Sequence, residues 1–209
     1  PVKTQIIGKQ SDKKLEQAQR VQDFMNYQVT NQITDYFNEL DQLLYYLALA
    51  GSAFKKIYFD NSLDRICSKF VPADQFVISM ENTDLETAER YTQVMKQTTN
   101  EIKRKQVEGF YREVPVTQNQ GGQSTADVVE KTLQKLEGMT PSMADKIHTI
   151  LEIHADLDLG EDESGLALPY IVTVDYESGQ TLAIRRNWKE EDPLKKKRTY
   201  FIHYKYLPG

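Results

Sequence analysis

"PYIVTVDYESGQTLAIRRNW", residues 169 to 188, is the stretch that decides the fold. Two alternating segments rich in β-branched and aromatic residues flank "ESGQ", and Gly179 supplies the left-handed backbone that a tight hairpin turn needs. An antiparallel hairpin is therefore predicted here. Working outward, "HTILEIHADLDL" before it and "RTYFIHYKY" after it read as further strands. Upstream, period two recurs in "AFKKIYFD" (53 to 60), "ICSKFV" (66 to 71) and "QFVIS" (75 to 79), which the intervening "DNSLD" and "PAD" turns join into an expected antiparallel meander.

Helical spacing appears elsewhere. In "SDKKLEQAQRVQDFMNYQVTN" (11 to 31), Leu15, Ala18, Val21, Met25 and Val29 recur at intervals of three and four, with Ser11 placed to cap the helix. "ITDYFNELDQLLYYLALAG" predicts a second helix ending at Gly51. Its latter half is apolar nearly all round, so Leu43, Leu44 and Leu47 are expected either in the core or against a neighbouring subunit. In "TDLETAERYTQVMK" a short helical turn leading into a strand is expected, Thr83 and Glu86 forming a capping box. Thr98 and Glu101 make a second box, opening a short helix that stops at Gly109. "TQNQGGQST" (117 to 125) reads as a flexible joint, and Val128, Val129, Leu133 and Leu136 mark a helix after it. The expected fold is α+β, with helices packed on antiparallel sheet and hairpins. Its divisions are a helical and β-meander body over 1–116, the 117–125 loop, and a helix followed by antiparallel strands over 126–209.

The 209 residues carry 39% hydrophobic and 27% charged side chains, so the chain has enough apolar material for a core. A net charge of -5 removes the overall basic field of a sequence-specific DNA binder. The single cysteine, Cys67, forms no internal disulfide, which suits a reducing compartment. No apolar run approaches the ~20 residues that cross a bilayer. The chain opens at Pro1 and closes on Leu207-Pro208-Gly209, as expected of a piece of something longer.

Two constellations bear on chemistry. In "ILEIHADLDL", Glu152, His154, Asp156 and Asp158 alternate with Leu151, Ile153, Ala155, Leu157 and Leu159, and Glu161, Asp162 and Glu163 follow. Such a row could hold a divalent metal. The wet face of an antiparallel strand produces the same alternation by default, and an EF-hand loop starting at Asp156 would require a glutamate where Ala167 stands. The second constellation is basic: Lys195, Lys196, Lys197 and Arg198, with Arg185, Arg186 and Lys189 nearby, as contacts for DNA phosphates. Tyr200, His203, Tyr204 and Tyr206 interleave aromatics, while Glu190, Glu191 and Asp192 offset the field, so a solvated hairpin tip is the plainer reading. Nucleophilic catalysis has little support, because Cys67 has none of His148, His154 or His203 near it in sequence and no nucleophile elbow is present. Gly121-Gly122 lacks the Gly-Lys-Ser/Thr of a phosphate-binding loop.

Several unbroken runs together resemble the portal proteins of tailed bacteriophages, in the branch associated with short-tailed phages: "GSAFKKIYFD", "FVPADQFVIS", "TDLETAER", "LPYIVTVDYESGQTLAIRRNWKEEDPLKKK" and "FIHYKYLPG". The resemblance covers most of this chain and an internal portion of a whole portal subunit. It implies a non-enzymatic ring, usually of twelve subunits, at one capsid vertex of the virion, assembled in the host bacterial cytoplasm. Double-stranded DNA passes through that ring, and terminase, scaffolding and coat proteins and the head-tail adaptor are its partners; no cofactor and no membrane are implied. In such a ring an acidic chain avoids the strong counterion-release binding that would stall a sliding duplex. The competing expectations are a metal-dependent phage nuclease using Glu152, His154, Asp156 and Asp158, and an adaptor module that forms no ring.

Overall fold

The computed structural model describes residues 2–79, 84–115, 147–160 and 165–206. The joint at 117–125, the helix after it, the Thr83 cap, Glu161 to Glu163 and the closing Leu-Pro-Gly lie outside the described residues. Within them the chain is α+β, with three α-helices and two antiparallel sheets. It forms two compact units, one of Pro1–Asp74 with Thr199–Gly209, the other of Gln75–Arg198.

In the first unit α1 (Asp12–Tyr27) begins where the Ser11 side chain accepts the Lys14 N–H, and it runs into a π-helical turn, Gln28–Gln32. The leading segment is pinned to this helix by Val2 N–H donating to Asn26 Oδ1 (2.8 Å) and Thr4 Oγ1 donating to the Ala18 carbonyl (2.9 Å). Then α2 (Tyr36–Ala50) ends at Gly51, whose φ of 73° is the left-handed stop that the sequence asks for. β1 (Ser52–Asp60) and β2 (Arg65–Pro72) form a hairpin with Phe54 opposite Val71. α2 is held on this hairpin by Glu39, which accepts both the Phe70 N–H (2.7 Å) and the Lys69 ammonium (2.9 Å). Buried Leu43 and the Tyr46–Phe70 ring pair, 5.1 Å apart, complete the packing. The last strand, β8 (Phe201–Lys205), returns to pair with the free side of β1, giving the order β2-β1-β8.

The second unit is a five-stranded sheet, ordered β3 (Phe76–Ile78), β4 (Arg90–Thr98), β5 (Ile147–Leu157), β6 (Leu168–Asp175) and β7 (Thr181–Arg186). The opening hairpin is β6-β7. Asp175 Oδ2 accepts from the Ser178 backbone and hydroxyl, and Gly179 turns with φ 68°. α3 (Thr99–Val107) carries the complete Thr98–Glu101 capping box, and Gly109 follows with φ 73°. It lays Ile102 on the sheet with Tyr111, Ile150, Leu182 and Ala183. On the opposite face Leu168, Tyr170 and Trp188 pack together with Leu157 and Val172.

Three expectations are corrected. The 53–79 region is not a three-stranded meander, because β2 and β3 belong to different sheets: the Ala73–Gln75 helical turn breaks the ladder, and β3 pairs with β4. Residues 85–87 make a turn rather than a turn of helix, and the strand expected after it runs over Arg90–Thr98. Finally, β7 and β8 do not pair, so the basic stretch between them is not a hairpin tip. Alternation reports that a segment is a strand but carries no information about which strand it joins.

Candidate functional site

The β5 face read as wet is buried at its centre and exposed at its end: His154 is enclosed and Glu152 half-buried, while Asp156 and Asp158 reach solvent. His148 and His154 are 2% and 0% exposed, and they flank buried Ile150 on the same side of the strand. α3 and the Phe110–Tyr111 segment pack on Ile150 on this side, while Trp188 packs with Leu168 and Tyr170 on the other, so the middle of the strand is covered where alternation implied a half-solvated face.

Register assembles the site. β4 sets Tyr91 opposite His154 and Gln93 opposite Glu152; β6 sets Ile171 and Thr173 on the far side of that pair, and β7 brings Arg185 next to Ile171. His154 Nε2 lies 2.9 Å from Glu152 Oε1. Phe76, Tyr91 and His154 stack across β3, β4 and β5, with ring centroids 5.5 Å and 4.7 Å apart. Arg185 places its guanidinium 3.7 Å from the Phe110 ring centroid, and Tyr111 donates its hydroxyl to Gln97 Oε1 at 3.4 Å. Burial pushes the Tyr111 phenol up, with the Gln97 hydrogen bond pulling the other way. Further along the same face, Thr99 Oγ1 and His148 Nε2 are 3.0 Å apart.

As a metal centre the acidic row does not assemble: among the described residues no three His, Cys, Asp or Glu side chains converge. Glu152 and His154 engage each other, whereas Asp156 lies toward the end of the sheet, where burial raises its carboxyl and the nearby Lys197 lowers it. Cys67 is buried and its thiol is pushed up, leaving little thiolate.

The basic residues are split by the fold. Arg185 is half-buried, and Arg186 is exposed beside Trp188, 5.9 Å from that ring. Residues 187–198 wrap the end of the sheet where β4 and β6 begin and β5 and β7 finish. The Asn187 N–H donates to the Pro169 carbonyl and the Arg198 N–H to the Asn187 carbonyl, both at 2.9 Å, closing the neck of the loop. Asp192 organises its tip by accepting the N–H groups of Leu194 (3.0 Å) and Lys196 (3.1 Å). Lys195 takes a left-handed φ of 47°, while Lys196 and Arg198 are exposed. Lys197 instead turns inward. Its ammonium donates to the Ala88 carbonyl at 2.7 Å and sits 4.7 Å from the Tyr91 ring centroid. Burial pushes its pKa down, and Asp156 pulls it back up. The sequence offered no signal that one of these three consecutive lysines would turn inward, nor that Tyr91 and Ala88 would receive it.

Among the three interface candidates Leu43 is buried, Leu47 half-buried and Leu44 55% exposed; Tyr45 and Leu49 on the same helix are 70% and 73% exposed. α1 buries none of its residues and exposes Leu15, Val21, Phe24, Met25 and Tyr27. No helix among the described residues is long and apolar enough to cross a membrane. No protein-family model matches the chain, and no curated protein matches it either.

Proposed function

We propose that this chain is part of a portal protein of a tailed phage, a non-enzymatic ring subunit through which double-stranded DNA is packaged and ejected. Supporting the reading are the five runs that resemble that family, in order along the chain. The structural observation that carries it furthest is the apolar surface left on α2 by its own unit. Leu44, Tyr45 and Leu49 face outward from a helix whose opposite side is already packed, and apolar surface of this kind is characteristic of subunits covered by a neighbour. In the assembled ring, of the twelve subunits usual in that family, those side chains meet an adjacent copy; terminase, capsid and scaffolding proteins and the head-tail adaptor bind elsewhere on the assembly. Exposed Lys196 and Arg198 are the basic residues best placed to touch DNA or terminase, with Arg186 third.

The test is made on the complete protein. Electron microscopy should find annular particles, and incubation with DNA and magnesium or manganese should leave the DNA uncut. Solitary particles at every concentration would overturn the ring, and cleavage would favour the nuclease. Replacing Lys196 and Arg198 by serine should lower DNA packaging more than ring formation.

A further inference from the structure

Residues 187–198 run from one face of the five-stranded sheet to the other around a single end. Trp188 packs on Tyr170 with ring centroids 5.2 Å apart, and at the far end of the loop Lys197 reaches Tyr91 on the opposite face. We propose that this loop is a strap over the His154–Glu152 pair, clasped by the Lys197 ammonium, and that discharging or removing that one group opens it. The inference does not depend on the portal reading.

The seat of the clasp has the features of a cation site. A carbonyl oxygen, that of Ala88, accepts a 2.7 Å hydrogen bond, the Tyr91 ring presents its negative face, and the Asp156 carboxylate supplies opposite charge. Tyr91 is also the middle ring of the Phe76–Tyr91–His154 stack, so the lysine rests on the ring that shields His154. Burial of a lysine head is costly unless such partners await it, and here burial pushes the pKa of Lys197 down while Asp156 pulls it back up. The clasp is one hydrogen bond and one ring contact made by a single ammonium, so removing that group releases it. Acylation of the amine, which abolishes its charge, is a modification that would do so. Release would free the segment carrying Lys195, Lys196 and Arg198 and bring solvent to His154.

The two buried histidines of β5 make the test internally controlled, since His148 lies toward the opposite end of the strand from the strap. In the 209-residue chain, Lys197→Met should raise modification of His154 by diethyl pyrocarbonate several-fold while leaving His148 protected, and amide exchange at Arg198 should quicken. Lys197→Ala should behave alike and regain protection of His154 when propylammonium is added. Asp156→Asn, which leaves the lysine in place, should give a smaller increase. In the unaltered protein, brief amine acylation should label Lys196 well before Lys197. Unchanged His154 reactivity would overturn the clasp, as would equal rises at His148 and His154, which indicate general loosening. Should the Lys197 variants not fold, equal acylation of Lys196 and Lys197 in the unaltered chain would overturn it too.

Discussion

Lys55 shows most plainly what a single buried charge does in this chain. Only 3% exposed, it places its ammonium 4.2 Å from the Tyr36 ring centroid, and burial pushes its pKa below the ordinary 10.5, with Glu39 opposing the shift. The folded state therefore binds fewer protons here than the unfolded chain, and stability rises with pH between the lowered value and 10.5. Lys55→Met should accordingly raise the thermal midpoint at pH 7, the gain shrinking as pH climbs toward 10.5; thermal denaturation followed by circular dichroism across that range measures it. Asp35 has the opposite sign. The Lys69 hydrogen bond, then its charge, holds the Asp35 carboxyl below its ordinary 3.8, Arg65 adding to the effect. Its contribution is present above 3.8 and is lost as pH falls through the lowered folded value. Asp35→Asn should flatten the acid limb of the stability curve below about pH 4, a difference that urea titrations at successive pH values will register.

Elements are held by their ends. α3 has only nine residues, too short to be stable alone, and owes its existence to Ile102 in the core and to the Thr98–Glu101 box. Thr98→Ala should cost about 1 kcal/mol in urea denaturation. Gly51 lets α2 stop and β1 begin immediately, with φ 73°. Gly51→Ala, forcing a Cβ into the left-handed region, should cost about 1 kcal/mol as well, and an unchanged midpoint would mean that the turn relaxes around it. Both ends were legible beforehand, because a cap and a left-handed stop need only residues within one turn of each other. The β6-β7 hairpin was legible for the same reason, its turn being closed by Asp175, Ser178 and Gly179. The assignment of β3 was not, since the choice between pairing with β2 or β4 is made by contacts distant in the chain.

At the scale of the molecule the two units are knitted from separated segments. β8 completes the first unit by pairing with β1, and Ser52 Oγ meets His203 Nε2 at 2.7 Å across 151 positions of sequence. Removing residues 199–209 should strip β1 of one neighbour and expose the buried Phe201 site, whereas every strand of the five-stranded sheet keeps its partners. Hydrogen exchange should then quicken at Ser52 to Lys56 and stay slow at Ile150 to His154. Comparable loss of protection in both places would show that the second unit depends on the first.

The sequence by itself determined the α+β class, the Ser11 and Thr98 caps, the Gly51 stop and the Gly179 turn, because these follow from propensity, periodicity and hydrogen bonds made over a few residues. Only the tertiary structure decided that His154 on the acidic strand face is enclosed, stacks on Tyr91 and pairs with Glu152, and that Lys197 turns in to the Ala88 carbonyl. Those outcomes depend on which strands become neighbours and on what covers the sheet. A residue's own alternation is the same whether water or a helix lies above it, so burial had to be settled by parts of the chain far away.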